Sequence, residues 1–255
     1  MNFDFSGKSA LITGAASGIG FATAQLIAGS GAPRLILADR IAETLDAATL
    51  GIGNATRIAG HVADESFWTD AMPALEGLDL AVINAGVTGS GLIDELDYTE
   101  WRRIMSVNLD GVFLTLRAAM HAMKAHGRGG SIVITASASG LKAEQGIAAY
   151  GASKAGALHL MRIAAKEGAA HNIRVNAIAP AGVKTPIWRD AEFFTDLARK
   201  AGSEEAAFDE IAKAATPLGR FATADEIAAQ IGFLLSDTAA TITGATLTSD
   251  GGYLL

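Results

Sequence analysis

The stretch Ala10-Leu-Ile-Thr-Gly14-Ala-Ala-Ser-Gly18-Ile-Gly20-Phe-Ala-Thr-Ala-Gln-Leu-Ile-Ala28 decides the fold. A short apolar run meets three glycines, and a helix-like pattern follows. That order reads as strand, tight turn, helix. Glycines let the backbone approach a pyrophosphate, and a helix N-terminus supplies N–H donors and the positive end of its dipole. A glycine-rich turn alone is ambiguous. Here a second strand-like run, Arg34-Leu-Ile-Leu-Ala-Asp39, ends in an acid. It lies about 20 residues beyond the turn, where a ribose-binding carboxylate belongs. The spacing is G-x-x-x-G-x-G rather than the commoner G-x-G-x-x-G.

Outward from this unit, strand-like runs recur at 9–13, 34–38, 56–62, 79–83, 131–136, 173–178 and 245–249. Helical patterns fall around 18–30, 66–76, 98–126, 148–171 and 223–236. Such alternation predicts an α/β fold: a doubly wound, Rossmann-like parallel sheet with helices on both faces. No repeat or low-complexity linker divides residues 1–255, so one dinucleotide-binding domain is expected. The interval 186–216 stands apart. It lacks a strand pattern and mixes Trp188, Phe193 and Phe194 with charged residues. A long excursion after a sheet strand commonly covers a site; the other readings are a plain helical excursion or an oligomer contact.

Half of the 255 residues are apolar, 29 are glycine and only 18% are charged. This suits a buried sheet. A net charge of −7 without a Lys/Arg cluster argues against nucleic-acid or anionic-membrane partners. The absence of cysteine removes disulfides and Cys-based zinc sites. Histidines 61, 121, 126, 159 and 171 form no spaced ligand set, so no metal is expected. No apolar run reaches the ~18 residues that span a bilayer, and the N-terminus lacks signal-peptide form. A soluble cytoplasmic protein is the expectation.

The chemistry is expected from Ser137, Tyr150 and Lys154. Strand-like Ser131-Ile-Val-Ile-Thr-Ala-Ser137 ends at a serine, and Tyr150-Gly-Ala-Ser-Lys154 opens a helical stretch. Residues four apart share a helix face. A free tyrosine, with a pKa of about 10, is a poor base at neutral pH. A lysine ammonium beside it favours the phenolate. A serine hydroxyl can hold the oxygen of an alcohol or carbonyl at the same spot. The trio suits proton transfer at such an oxygen.

Taken together, these motifs resemble the short-chain dehydrogenase/reductase family over nearly the whole chain. The resemblance rests on Thr13-Gly-Ala-Ala-Ser-Gly-Ile-Gly20, Asn84-Ala-Gly86, Asn108 in Val-Asn-Leu-Asp-Gly and Ser137 ahead of Tyr150. It continues through Lys154, Arg174-Val-Asn-Ala-Ile-Ala-Pro180, Pro217-Leu-Gly-Arg220, Thr243-Gly244 and Asp250-Gly-Gly252. It implies an NAD-dependent enzyme interconverting a secondary alcohol and a ketone, with Tyr150 as general base or acid. Gly14, Ser17, Gly18, Ile19 and Gly20 would cradle the pyrophosphate. Asp39 would take the ribose hydroxyls of NAD and repel a 2′-phosphate, although Arg40 follows it. Val62 would contact adenine through its backbone. His61 stands where the family often has Asp, with Asp64 as the alternative if the loop is shifted; His61 is either an adenine contact or a surface residue. Asn84 and Gly86 would wall the cofactor, with Ile83 in place of a usual Asn. Pro180, Val183 and Thr185 would face the nicotinamide, with Ala181 where Gly is usual and Gly182 one place later. Tyr150 and Lys154 would also touch the cofactor. Asn108, a poor helix former inside a helical pattern, would either cap a kink or, as the resemblance implies, hold a water linking Lys154 to solvent. The resemblance places a substrate loop at 186–216 and implies a homo-oligomer, dimer or tetramer, through the helices near 98–126 and 148–171.

Thr135 and Ser139 compete with Ser137, and the family spacing selects Ser137. Leu141, Ile187, Trp188, Phe193 and Phe194 favour an apolar or cyclic alcohol. Lys142, Glu144 and Gln145 would suit a hydroxylated substrate such as a sugar, or equally be solvated at the rim. The rivals are an NADPH-dependent ketoacyl reductase, a non-catalytic dinucleotide-binding protein and, through Ser139-Gly-Leu-Lys142, a serine hydrolase.

Overall fold

The computed structural model describes residues 3–255. Its strands are β1 (Ser9–Thr13), β2 (Arg34–Asp39), β3 (Ala55–Ala59), β4 (Leu80–Ile83), β5 (Gly130–Thr135), β6 (Ile173–Pro180), β7 (Val183–Lys184), β8 (Ala222–Thr223) and β9 (Thr246–Ser249). Seven form one sheet in the order β3-β2-β1-β4-β5-β6-β9, with every pairing parallel. β7 and β8 pair separately.

Alternate side chains of a strand point to opposite faces. Leu11 of β1 therefore joins Ile36, Ala81 and Ile132 on one side. Its neighbours Ala10 and Ile12 join Leu35, Leu37 and Val133 on the other. Both sets are buried, and each such Leu or Ile side chain contributes about 1.5–3 kcal/mol on burial. The helices are α1 (Gly18–Gly29), α2 (Ala42–Thr49), α3 (Glu65–Ala71), α4 (Tyr98–Met105), α5 (Gly111–His126), α6 (Ala148–Ala169), α7 (Glu192–Ala201), α8 (Glu204–Ala215) and α9 (Ala224–Leu235). Helices α3, α5 and α6 cover the Leu11 face. Helices α1, α2 and α9 cover the other. The fold is the expected single α/β domain with a doubly wound parallel sheet.

Several boundaries differ from the sequence expectation. β3 stops at Ala59 rather than 62, because Gly60 packs on the Phe67 ring with no room for a Cβ. Val62 lies beyond the strand, its carbonyl accepting from Trp68 Nε1 at 2.8 Å. α2 has only Leu45 and Thr49 buried, too weak an apolar stripe to stand out in the sequence. The pattern at 98–126 is not one helix. A π-helical turn, Ser106–Asp110, separates α4 from α5. α6 ends two residues early, and Asn172 takes the left-handed conformation at φ 55°.

Interval 186–216 folds as a short 3-10 turn (Pro186–Asp190) followed by α7 and α8. It has a small core of its own: Trp188, Phe194, Phe208 and Phe221. The Trp188 and Phe221 rings stack at 5.5 Å, and Trp188 Nε1 donates to the Val183 carbonyl at 2.9 Å. Phe194 is only 1% exposed, so it holds the excursion together instead of lining an open cleft. Phe193 remains exposed. Lys184 ties the base of the excursion to Glu205 and, at 3.2 Å, to Asp209. Arg189 makes a two-pronged contact with Glu204 at 2.8 and 3.0 Å.

Candidate active site

Strand order reverses between β1, which leads to β2, and β4, which leads to β5. In open α/β sheets that crevice, at the carboxyl ends of the strands, is where ligands bind. The expected site residues follow those ends. Gly14–Gly20 follow β1, Asp39 ends β2, and Val62 follows β3. Asn84–Gly86 follow β4, Ser137 follows β5, and Pro180 ends β6 ahead of Val183 and Thr185.

The glycine turn is shaped by contact as much as by flexibility. Gly14 and Gly18 have φ of 67° and 51°, a region that disfavours side chains. A Cβ on Gly14 would stand 2.9 Å from Asn84 Nδ2, and one on Gly20 would collide with the Gly14 carbonyl. Asn84 Nδ2 donates to the Thr13 and Gly14 carbonyls at 3.2 and 3.4 Å. Thr13 Oγ1 accepts from the Asn84 and Ala85 N–H groups at 3.0 and 3.1 Å. Thr13, wholly buried, thus joins the two strand ends at the crevice. Its signal in the sequence is a hydroxyl closing an otherwise apolar run. Ser17 is exposed, and its hydroxyl makes no capping bond at the start of α1. Thr185 crosses the turn, its Cγ2 lying 3.2 Å from where a Gly18 Cβ would be.

Asp39 points its carboxylate back at the same turn. Oδ2 accepts from the Ala16 N–H at 2.9 Å and Oδ1 from the Arg40 N–H at 2.7 Å. Each oxygen keeps a free lone pair. His61 is exposed, and its Nδ1 accepts from the Ala63 N–H at 3.2 Å. Asp64 caps α3 by accepting from the Ser66 N–H at 2.9 Å, so it serves the helix. Gly182 packs on the Phe221 ring with no space for a Cβ, which accounts for a glycine at 182 rather than 181.

The π turn sets Asn108, fully buried, against the crevice wall. Its Oδ1 accepts from the Val87 N–H at 2.8 Å, and its Nδ2 donates to the Val87 carbonyl at 2.9 Å and to Ser153 Oγ at 3.2 Å. Ser153 in turn donates to the Tyr150 carbonyl at 2.7 Å. Lys154, one residue on, is buried and donates to the Thr135 carbonyl at 3.0 Å. A Cβ on Gly86 would lie 3.3 Å from Asn108 Oδ1 and 3.4 Å from Lys154 Nζ. Glycine there leaves room between the two. Ser153 and the Thr135 carbonyl had no distinctive sequence signal; each is recognisable only from its partner.

The Lys154 ammonium lies 5.7 Å from the Tyr150 ring centre. Burial pushes Lys154 down to about 8. Burial is also the main influence on Tyr150 and raises its phenol. The Ser137 hydroxyl beside the phenol pulls the other way, and the Glu144 carboxylate adds to the rise. The sequence expectation is that Lys154 lowers the Tyr150 pKa; in the free chain the phenol is raised, its main influences being burial, Ser137 and Glu144. Ser137 is itself buried and accepts from the Ser139 N–H at 3.2 Å. Lys142 turns away from this group, donating to the Tyr253 carbonyl at 3.0 Å with its ammonium 4.2 Å from that ring. Among the described residues, no group of three or more His, Cys, Asp or Glu could hold a metal ion. Among the same residues, no helix is long and apolar enough to cross a membrane.

Comparison with known proteins bears on the family and the fold. Residues 14–254 match the family model described as Enoyl-(Acyl carrier protein) reductase. The chain is 38% identical to trans-4-hydroxycyclohexanecarboxylate dehydrogenase of Sinomonas cyclohexanicum, covering 96% of this chain and 92% of that one. It is 37% identical to cyclohexanol dehydrogenase of Acinetobacter sp. (strain SE19), covering 99% and 97%. A solved short-chain type dehydrogenase/reductase from Mycobacterium marinum superposes with a TM-score of 0.87 at 34% identity, covering 99% and 97%. The chain belongs to the short-chain dehydrogenase/reductase family of oxidoreductases.

Proposed function

We propose that the chain is an NAD-dependent dehydrogenase that interconverts a cyclic secondary alcohol and its ketone at Ser137, Tyr150 and Lys154. The observation that carries this reading is the convergence of three side chains from two elements: Ser137 after β5, and Tyr150 and Lys154 one turn apart on α6. They meet at the sheet edge that also holds the glycine turn. The relatives named for cyclohexanol and hydroxycyclohexanecarboxylate support a ring-bearing substrate.

The residues present fit a nicotinamide dinucleotide. The glycines leave a concave backbone free of Cβ atoms, Ser17 has an unused hydroxyl beside the α1 N-terminus, and Asp39 keeps lone pairs at the turn. Gly14, Ser17, Gly18, Ile19 and Gly20 would hold the pyrophosphate, and Asp39 the adenosine ribose. Val62, Asn84, Gly86, Pro180, Val183 and Thr185 would line the remainder. The Asp39 charge opposes a 2′-phosphate and favours NAD. The bound cofactor supplies the hydride acceptor.

In alcohol oxidation, Tyr150 as phenolate takes the hydroxyl proton, and Ser137 steadies the oxygen as it becomes a carbonyl. Lys154 opposes the effect of burial on the phenol whenever it is charged. Asn108 positions this group through Ser153 and the Val87 backbone, and it can hold a water for proton exchange with solvent. The 3-10 turn at Pro186–Asp190 and α7 would close over the substrate. The exposed Phe193 is the aromatic side chain free to meet it.

The test is NADH formation by the purified chain with NAD or NADP, using cyclohexanol and linear, steroid and sugar alcohols. Turnover with NAD of cyclohexanol or another ring-bearing alcohol in preference to linear alcohols supports the reading. Turnover only with NADP, or reduction of an acetoacetyl thioester by NADPH in preference, replaces it with the ketoacyl reductase.

A further inference from the structure

The loop between Ser137 and α6 carries three polar side chains with different fates. Lys142 is engaged by Tyr253, and Gln145 is exposed. Glu144 is half-buried. Its Oε2 lies 3.4 Å from the Ser139 hydroxyl, and the Ser139 N–H donates to Ser137 Oγ at 3.2 Å. A carboxylate, a hydroxyl and the Ser137 oxygen thus form one contiguous polar edge beside Tyr150. The loop is held in place. The Gly91 N–H donates to the Gly146 carbonyl at 2.7 Å, Gly91 bridges Ile147, and the Gly151 N–H donates to the Ile147 carbonyl at 2.8 Å.

Glu144 takes part in none of the ion pairs among the described residues. Its one side-chain partner there is a long hydrogen bond from Ser139. A half-buried carboxylate with spare lone pairs accepts strongly from hydroxyl donors and repels another carboxylate. The charge is felt at the phenol, in keeping with its position.

We propose that Glu144 sets substrate preference, accepting a hydrogen bond from a second hydroxyl on the alcohol and excluding alcohols that carry a carboxylate. This rests on the dehydrogenase reading above and narrows its substrate to a cyclic diol or polyol. The relative that acts on a hydroxycyclohexanecarboxylate would then differ from this chain in the substituent tolerated, not in the reaction.

The test compares kcat/KM, with NAD, for the best of the cyclohexanediols and for trans-4-hydroxycyclohexanecarboxylate, in the wild type, Glu144→Gln and Glu144→Asp. The diol-to-carboxylate ratio is expected to fall at least about tenfold in Glu144→Gln, in line with a lost charged hydrogen bond, and to recover in Glu144→Asp. Far-UV circular dichroism and melting temperature show that each variant is folded. A ratio that favours the carboxylate in the wild type, or that does not move in Glu144→Gln, overturns the role of Glu144 alone. Absence of turnover with every alcohol overturns the dehydrogenase reading instead.

Discussion

The ammonium of Lys154 lies 5.7 Å from the centre of the Tyr150 ring, yet the phenol is raised and the lysine lowered, both mainly by burial. The pair is desolvated together. Moving Lys154 from the ordinary 10.5 to about 8 corresponds to roughly 3 kcal/mol against its charged form at neutral pH. The site therefore holds a destabilising charge that only catalysis requires.

Lys154→Met is expected to raise the melting temperature by several degrees at pH 7 while cutting dehydrogenase activity at least about a hundredfold. The Tm gap should narrow between pH 8 and 10.5. In that window the unfolded lysine binds a proton that the folded one has lost, so wild-type stability rises with pH. Calorimetry across pH checks both points. A variant less stable than the wild type at pH 7 contradicts the burial penalty.

Alcohol oxidation should quicken as pH rises, because the Tyr150 phenol is raised by burial and by Glu144. Removing the Glu144 charge in Glu144→Gln should move the ascending limb of kcat/KM to lower pH. A limb that moves upward or stays in place would show that the carboxylate does not act on the phenol.

Asp39→Ala removes a charge and leaves the Ala16 N–H without its partner. The ratio of kcat/KM for NADP over NAD should increase at least about tenfold, and stability should fall by about 1–3 kcal/mol. Steady-state kinetics and urea unfolding read the two effects separately. Unchanged cofactor preference would remove Asp39 from cofactor selection.

Gly182→Ala would drive a methyl group into the Phe221 ring. Overpacking of this kind costs about 1–3 kcal/mol, and it falls on the junction of Val183, Trp188 and the α7–α8 core. The expected result is a lower melting temperature and a raised KM for alcohol, measured against Ala181→Gly as the control with open backbone.

The sheet and its crevice were legible because a parallel sheet buried on both faces leaves apolar runs, and its turns need glycine. β1, β2 and the glycine turn follow directly from Ala10–Gly20 and Arg34–Asp39. A kink at Asn108 was legible, since Asn is a poor helix former in a helix interior, but its form as a π turn was not. A π turn is set by tertiary hydrogen bonds to Val87 and Ser153, and these lie 21 and 45 residues away. The aromatic residues near 188–194 read as a lining for an apolar alcohol, yet Phe194 packs with Phe208 and Phe221 in the core of the excursion, and only Phe193 is exposed among the large aromatics there. The polar loop at 142–145 looked uniform in sequence, and only contacts with Tyr253 and Ser139 separate Lys142 from Glu144.

The most direct test of the account is the initial rate of NADH formation from NAD and cyclohexanol by the wild type and by folded Tyr150→Phe. The account predicts steady turnover by the wild type and a loss of at least about a hundredfold in the variant, with dinucleotide binding retained. Near-wild-type turnover by Tyr150→Phe would contradict proton transfer at Tyr150.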